Sequence, residues 1–90
     1  MAVTVNIPAH WRDHSGGRAT VEVTGKNLRE VFNNLEVECP GLKALITENG
    51  EVRGEIAVAI NSEVTEGGML EVVPEGAEVF LIPAIGGGTR

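Results

Sequence analysis

The residues with the longest chemical reach in this 90-residue chain stand at its end, where Gly86-Gly87-Gly88 is followed by Thr89-Arg90. Three glycines have no side chains to pack and lose much entropy when ordered, so fold stability does not ask for them. What they permit is passage, because a bare backbone threads a narrow channel and lies close beside a nucleotide phosphate. Fully extended, the residues after Pro83 reach on the order of 20 Å at ~3.3–3.6 Å each. By itself such a terminus equally describes a linker or a frayed end.

The other chemically capable groups are scattered. His10 and His14 lie four apart beside Trp11 and Asp13, a spacing that seats a metal on a helix. Here Gly16 and Gly17 follow closely, the segment reads as a loop, and no third ligand is at hand, so solvated histidines and no metal site are expected. Trp11 reads as a cap on the core. Cys39 is the only cysteine, which rules out an internal disulfide and makes a buried apolar role the simpler one. No triad or carboxylate dyad is visible, and no catalytic residue is assigned.

Composition narrows the partners. Thirteen acidic against seven basic residues give a net charge of −6, a poor match to nucleic acid or to an anionic membrane surface. Glu63, Glu66, Glu71, Glu75 and Glu78 make the later half acidic, either a solvated face or a complement to arginines on a protein partner. The start, Met1-Ala2-Val3-Thr4-Val5-Asn6, lacks the basic residues and apolar run of a signal peptide, and no segment is long enough to span a bilayer. A cytoplasmic location is the expectation.

The elements that must carry these groups follow from periodicity. Val3, Val5 and Ile7 alternate with polar residues as in a strand over 2–7, stopped by Pro8, and Val21 and Val23 form a second strand after a turn-rich loop over 9–18. Leu28, Val31, Phe32 and Leu35 fall on one helical stripe, Asn27 and Glu30 supply its capping pattern, and Pro40-Gly41 ends it. Leu42, Leu45 and Ile46 form a short helical turn or a packed loop, and Asn49-Gly50 a turn. Ile56, Val58 and Ile60 mark a third strand, Met69 to Val72 a short one, and Ala77 to Pro83 the last.

The order β-β-α-β-β predicts an α+β, ubiquitin-like β-grasp: a mixed sheet covered on one face by a single main helix, with the first and last strands parallel at its centre. The domain is expected over 1–83 and a flexible glycine-rich tail over 84–90. On the sheet face away from the helix, alternation places Thr4, Asn6, Thr20, Glu22, Ala57, Ala59, Phe80 and Ile82. Phe80 and Ile82 are too large and apolar for a solvated face. They form a docking patch, with Ala57 and Ala59 beside them, or else the loop after the helix buries the last strand on both sides.

The run Val79-Phe80-Leu81-Ile82-Pro83-Ala84-Ile85-Gly86-Gly87-Gly88 resembles the last strand and tail of the ThiS/MoaD family of sulfur carriers. Val3-Thr4-Val5-Asn6-Ile7-Pro8, Asn27-Leu28-Arg29-Glu30-Val31 and Pro40-Gly41-Leu42 resemble it too, so the likeness covers nearly the whole chain. Within the family the chain resembles the actinobacterial carriers that donate sulfur for cysteine synthesis.

The resemblance implies a protein co-substrate, not an enzyme. The carboxylate of the last glycine is adenylated by an E1-like enzyme that uses MgATP, sulfur replaces AMP, and the thiocarboxylate delivers sulfur to an acceptor held by another enzyme. No cofactor is expected on this chain. Aligned with the family's end, Ile85-Gly86-Gly87-Gly88 makes Gly88 the reactive residue and Gly87 the fallback. Thr89-Arg90 departs from the pattern, because it locks the Gly88 carboxyl in an amide. Removal of the dipeptide, by a zinc peptidase of the JAMM type, is the implied first step. The same activated glycine also serves ubiquitin-like modifiers joined to lysine, and a plain binding module would leave the tail unprocessed.

Overall fold

Alternation in the first twenty-odd residues builds a hairpin. In the computed structural model, which describes residues 2–65 and 68–83, β1 (Val3–Asn6) pairs antiparallel with β2 (Thr20–Val23), Val3 opposite Val23 and Val5 opposite Val21. All four valines, with Ile7 just past β1, are buried. The link between them is not the open loop that its glycines suggest but a 3-10 helix over Ala9–Ser15. Pro8, with φ −57°, sets the entry, its carbonyl accepts from the Trp11 N–H at 2.9 Å, and the Trp11 ring packs against the core. Burial of one large aromatic outweighs the local preference of small polar residues for coil.

The main helix, α1 (Leu28–Glu38), buries Leu28, Val31, Phe32 and Leu35 completely. Its first turn is closed by Asn27, whose Oδ1 accepts from the Glu30 N–H at 2.9 Å, while the Glu30 carboxylate accepts from the Lys26 N–H. Gly25 lets β2 run close under this turn. A Cβ there would lie 2.7 Å from the Val31 nitrogen, and the residue's φ is +157°.

After Pro40-Gly41 the chain enters α2 (Leu42–Ile46), which buries Leu42 and Ile46. Its N-terminal N–H groups meet the Glu36 carboxylate, which accepts from Gly41 at 3.0 Å and from Lys43 at 3.0 Å. Those two backbone bonds, Gly41's first, hold the Glu36 carboxyl below the ordinary value of 4.5 against a smaller opposing effect of burial. A hairpin follows, β3 (Thr47–Glu48) and β4 (Glu51–Val52), turned by Asn49 and Gly50, both at positive φ as a two-residue turn of this hand requires.

The rest completes the sheet. β5 (Ile56–Ile60), β6 (Glu63–Val64) and β7 (Glu78–Pro83) join the first hairpin in the order β2-β1-β7-β5-β6. β7 runs parallel to β1, Val5 beside Val79, and antiparallel to β5, as a β-grasp sheet demands. The expected strand from Met69 to Val72 does not form. Gly68–Leu70 is a 3-10 turn with Met69 in the core, and Val72 makes one isolated bridge to Asn27. The edge position goes instead to Glu63–Val64, folded back by Asn61 and Ser62 at φ 52° and 77°. Asn61 supports that turn by exchanging two bonds with the Glu78 backbone, at 2.9 and 3.0 Å.

Two stability outcomes follow. Gly25→Ala is expected to cost about 1–3 kcal/mol in chemical denaturation, because helix backbone must move to admit the methyl; a cost near zero would show that β2 and α1 are not so closely apposed. Glu36 has a depressed folded-state pKa, so its contribution is complete above the unfolded carboxyl value and disappears as the pH falls through the folded one. The melting difference between the parent and Glu36→Gln should be constant above about pH 5.5 and close on acidification. A difference that widens in acid would overturn the capping role.

Candidate functional site

The uncovered face of the sheet is divided into two halves by the register. Across its first row Glu22, Thr4 and Glu78 stand side by side on β2, β1 and β7. The next row reads Thr20, Asn6, Phe80, Ala59 and Val64, and beyond it Ile82 pairs with Ala57. The start of β7 is therefore polar and acidic, and its last turn of sequence is apolar. Asn6 marks the border, donating from Nδ2 to the Glu78 carboxylate at 3.1 Å and to the Val79 carbonyl at 3.3 Å.

The apolar half is open. Ile82 is 48% exposed and Val64 62%, while Phe80 and Ala57 are half-buried. Ile82, Val64 and Phe80, with Pro8 and Ala59, line a cleft of about 380 Å³. Among the described residues neither helix nor loop covers this side of β7, so the strand is not buried on both faces. Ala59 lies on this face at the floor of the cleft and is only 5% exposed, because its methyl sits between the larger side chains of Phe80 and Val64 on the neighbouring strands. Val64, by contrast, is a patch residue that the reading of Asn61-Ser62-Glu63 as plain turn missed. The alternation Glu63-Val64-Thr65 was its only signal in the sequence.

The described chain ends at Pro83, opposite Ile56, at this apolar end of the sheet. The expectations for Ile85, Gly86, Gly87, Gly88, Thr89 and Arg90, and for a tail over 84–90, lie outside the described residues.

The remaining candidates are not brought together. His10 stacks obliquely on Trp11, ring centres 5.3 Å apart, and the His14 ring lies against Gly41. Among the described residues no three His, Cys, Asp or Glu side chains are grouped to share a metal ion. Cys39 is fully buried at the end of α1. Burial pushes its thiol pKa up, opposed by Arg18, whose Nη2 lies 3.7 Å from Sγ. A thiol held in its neutral form is a poor nucleophile. No helix among the described residues is long and apolar enough to cross a membrane.

Comparison with known proteins extends this picture. The sequence profile of the ThiS family matches residues 5–88. The sulfur carrier protein CysO of Mycobacterium tuberculosis is 30% identical over 93 residues, covering 98% of this chain and all of the relative. Among solved structures, the BexX/CysO complex of Amycolatopsis orientalis contains a chain that superposes with a TM-score of 0.92 at 34% identity, covering 97% of this chain and all of that one. Mycobacterium tuberculosis CysO superposes with a TM-score of 0.85 at 28% identity, over 92% and 99% of the two chains.

The two faces of β7 make a paired prediction. Leu81→Ala, on the helix side at 6% exposure, should cost ~2–5 kcal/mol in denaturant unfolding. Ile82→Thr, one residue on, should stay within ~1 kcal/mol. Equal losses would mean that the outer face is packed after all.

Proposed function

The chain belongs to the ThiS family, and from that premise we propose that it is a sulfur carrier whose C-terminal glycine, once exposed, is converted to a thiocarboxylate. The observation that carries this reading is the extent of the family match, which runs to Gly88 and leaves only Thr89-Arg90 beyond it. The curated relative that matches nearly the whole chain is named a sulfur carrier protein, and on this reading the chain likewise is a protein substrate of other enzymes.

The chemistry begins with the Gly88–Thr89 peptide bond. An amide carbonyl does not attack ATP, whereas a carboxylate does. A peptidase, a zinc-dependent one of the JAMM type being the candidate, hydrolyses that bond and releases Thr-Arg. An E1-like enzyme then joins the Gly88 carboxylate to the α-phosphate of MgATP, expelling pyrophosphate. A sulfur donor displaces AMP, and the thiocarboxylate passes its sulfur to an acceptor held by a biosynthetic enzyme, on a route to cysteine, thiamin, molybdopterin or another sulfur metabolite. Nucleotide and metal stay with the partner, so no resident cofactor is assigned to this chain, and neither nucleic acid nor membrane enters the cycle.

The patch of Phe80, Ile82, Ala57 and Val64 supplies the grip. Residues 84–88 span at most ~18 Å from Pro83 when extended, so a partner that holds the patch has its active site within reach of Gly88. Shielding apolar area on one side of the chain's exit fixes where the reactive carboxyl is delivered, and Glu78 at the start of the same strand favours a partner with basic residues beyond the apolar contact. A cytoplasmic setting follows from the need for ATP.

The test uses intact-mass spectrometry. A chain ending at Gly88, incubated with an E1-like enzyme of the family, MgATP and a sulfide source, should gain the mass of sulfur in place of oxygen, while residues 1–90 stay unchanged until a peptidase is added. Ile82→Asp should slow the gain at least tenfold, about 1.4 kcal/mol, with melting unaltered. No gain at Gly88 but gain at Gly87 would move the reactive residue by one. Branched glycine remnants on lysines without any thiocarboxylate would make the protein a modifier instead.

A further inference from the structure

The sheet has two edges, and they are finished differently. On one side β6 is only two residues long. On the other, β2 offers Thr20–Val23, a run of β-branched residues with one glutamate and none of the prolines, lysines or bulges that usually blunt an edge.

Which of its backbone groups face outward follows from β1. The Ile7 N–H donates to the Ala19 carbonyl at 2.8 Å, and the Thr4 N–H donates away, to the Ala77 carbonyl at 3.0 Å. Odd-numbered residues of β1 thus bond toward β2 and even-numbered ones toward β7. With Val5 opposite Val21 and Val3 opposite Val23, those two valines turn their peptide groups inward to β1. Thr20 and Glu22 turn theirs out, and among the described residues these outward groups have no partner. The next carbonyl along, that of Thr24, is taken by Asn34 Nδ2 at 2.7 Å, which ties the strand end to α1 and limits the open run to two rungs.

Beside these rungs lies a groove of about 310 Å³ between β2 and α1, lined by Glu22, Val23, Thr24, Asn34, Val37 and Glu38. Val37 stands 77% exposed on the outer flank of the helix, apart from the stripe that forms the core. The groove therefore combines unpaired backbone, one solvent-facing apolar side chain and two carboxylates.

We propose that the β2 edge takes an extended peptide segment of a partner protein as an added strand, and that this segment alternates apolar with basic residues. Its backbone pairs with Thr20 and Glu22. Its apolar side chains, on the helix side, cover Val37, and its lysines or arginines, on the opposite face, meet Glu22. Strand addition draws affinity from main-chain bonds and selectivity from alternate side chains, which is what this groove displays. A second copy of the chain is a poor occupant, because two chains of charge −6 would set one Glu22 near the other. β1 separates this edge from β7, so a partner can hold the carrier here while the Phe80 and Ile82 face stays open to another enzyme. This edge site does not depend on the sulfur-carrier reading.

The test is a titration of the full chain, followed by amide NMR, with a synthetic seven-residue peptide alternating lysine and valine. Saturable shifts should concentrate at Thr20, Glu22, Asn34 and Val37, and amide exchange at Thr20 and Glu22 should slow. Glu22→Lys and Val37→Lys should each weaken binding roughly tenfold with melting unchanged. N-methylation of alternate peptide amides, which touches nothing in the protein, should abolish it. Absence of binding, equal binding of the methylated peptide or of one with glutamate for lysine, shifts centred on Phe80 and Ile82, or a dimer through β2 in sedimentation would each overturn the proposal.

Discussion

The parallel pairing of β1 with β7 is the constraint on which the rest of the molecule depends. It joins the two ends of the chain at the middle of the sheet, Val5 beside Val79, both wholly buried. A parallel pair cannot be made by a tight turn; it needs a crossover, and here everything between the two strands, including α1, serves as one. Once β7 is central, its alternate residues must divide between the helix side and the open side, and its last residue must leave the sheet at a fixed place. The position of the chain's exit is thus a product of the core, although no core residue takes part in the chemistry proposed for it.

That separation leaves the body, among the described residues, as a core with recognition surfaces around it. A domain of this size buries a modest core, and this one commits its apolar residues to a single layer between α1 and the sheet. Two groups that could react are occupied by their surroundings: burial favours the protonated Cys39 thiol, and the N–H groups of Gly41 and Lys43 engage the ionised Glu36 carboxylate. What remains outward is recognition surface. An apolar half-face at the end of β7, an acidic row at its start and an open edge at β2 suit a protein that is handled by others.

Much of this was legible in the residues because the signals were cooperative. Alternation marked Val3, Val5, Ile7, Val21, Val23, Ile56, Val58, Ile60, Val79 and Leu81 as one face, and all are buried. The helix stripe and its Asn27 cap were equally plain. The parts that were misread are short, and their conformation is decided by distant contacts. Ala9–Ser15 winds into 3-10 helix because Trp11 must reach the core, and Met69 is drawn inward as part of a turn where its neighbours suggest a strand. Glu63–Val64 becomes a strand only because Asn61 is fastened to Glu78, seventeen residues later in the chain. No local pattern encodes such a contact. On the open face, alternation placed Phe80 and Ile82 together, but Val64 joins them only through the same long-range fastening.

The division of labour on the sheet also bears on how a small carrier can serve several enzymes in turn. A single patch used by every partner forces each to leave before the next arrives, and tight binding at one step then slows the following one. Two separate surfaces relax that limit, because a weak hold at a second place raises the effective concentration of the carrier near an enzyme without occupying the surface that presents the tail. Among the described residues, the sheet offers such a hold where α1 does not cover it, at the open face and the two edges. The face is needed beside the chain's exit, and β6 offers only two residues. The β2 edge, with the outward peptide groups of Thr20 and Glu22 and the exposed side chain of Val37, is the place the topology leaves over.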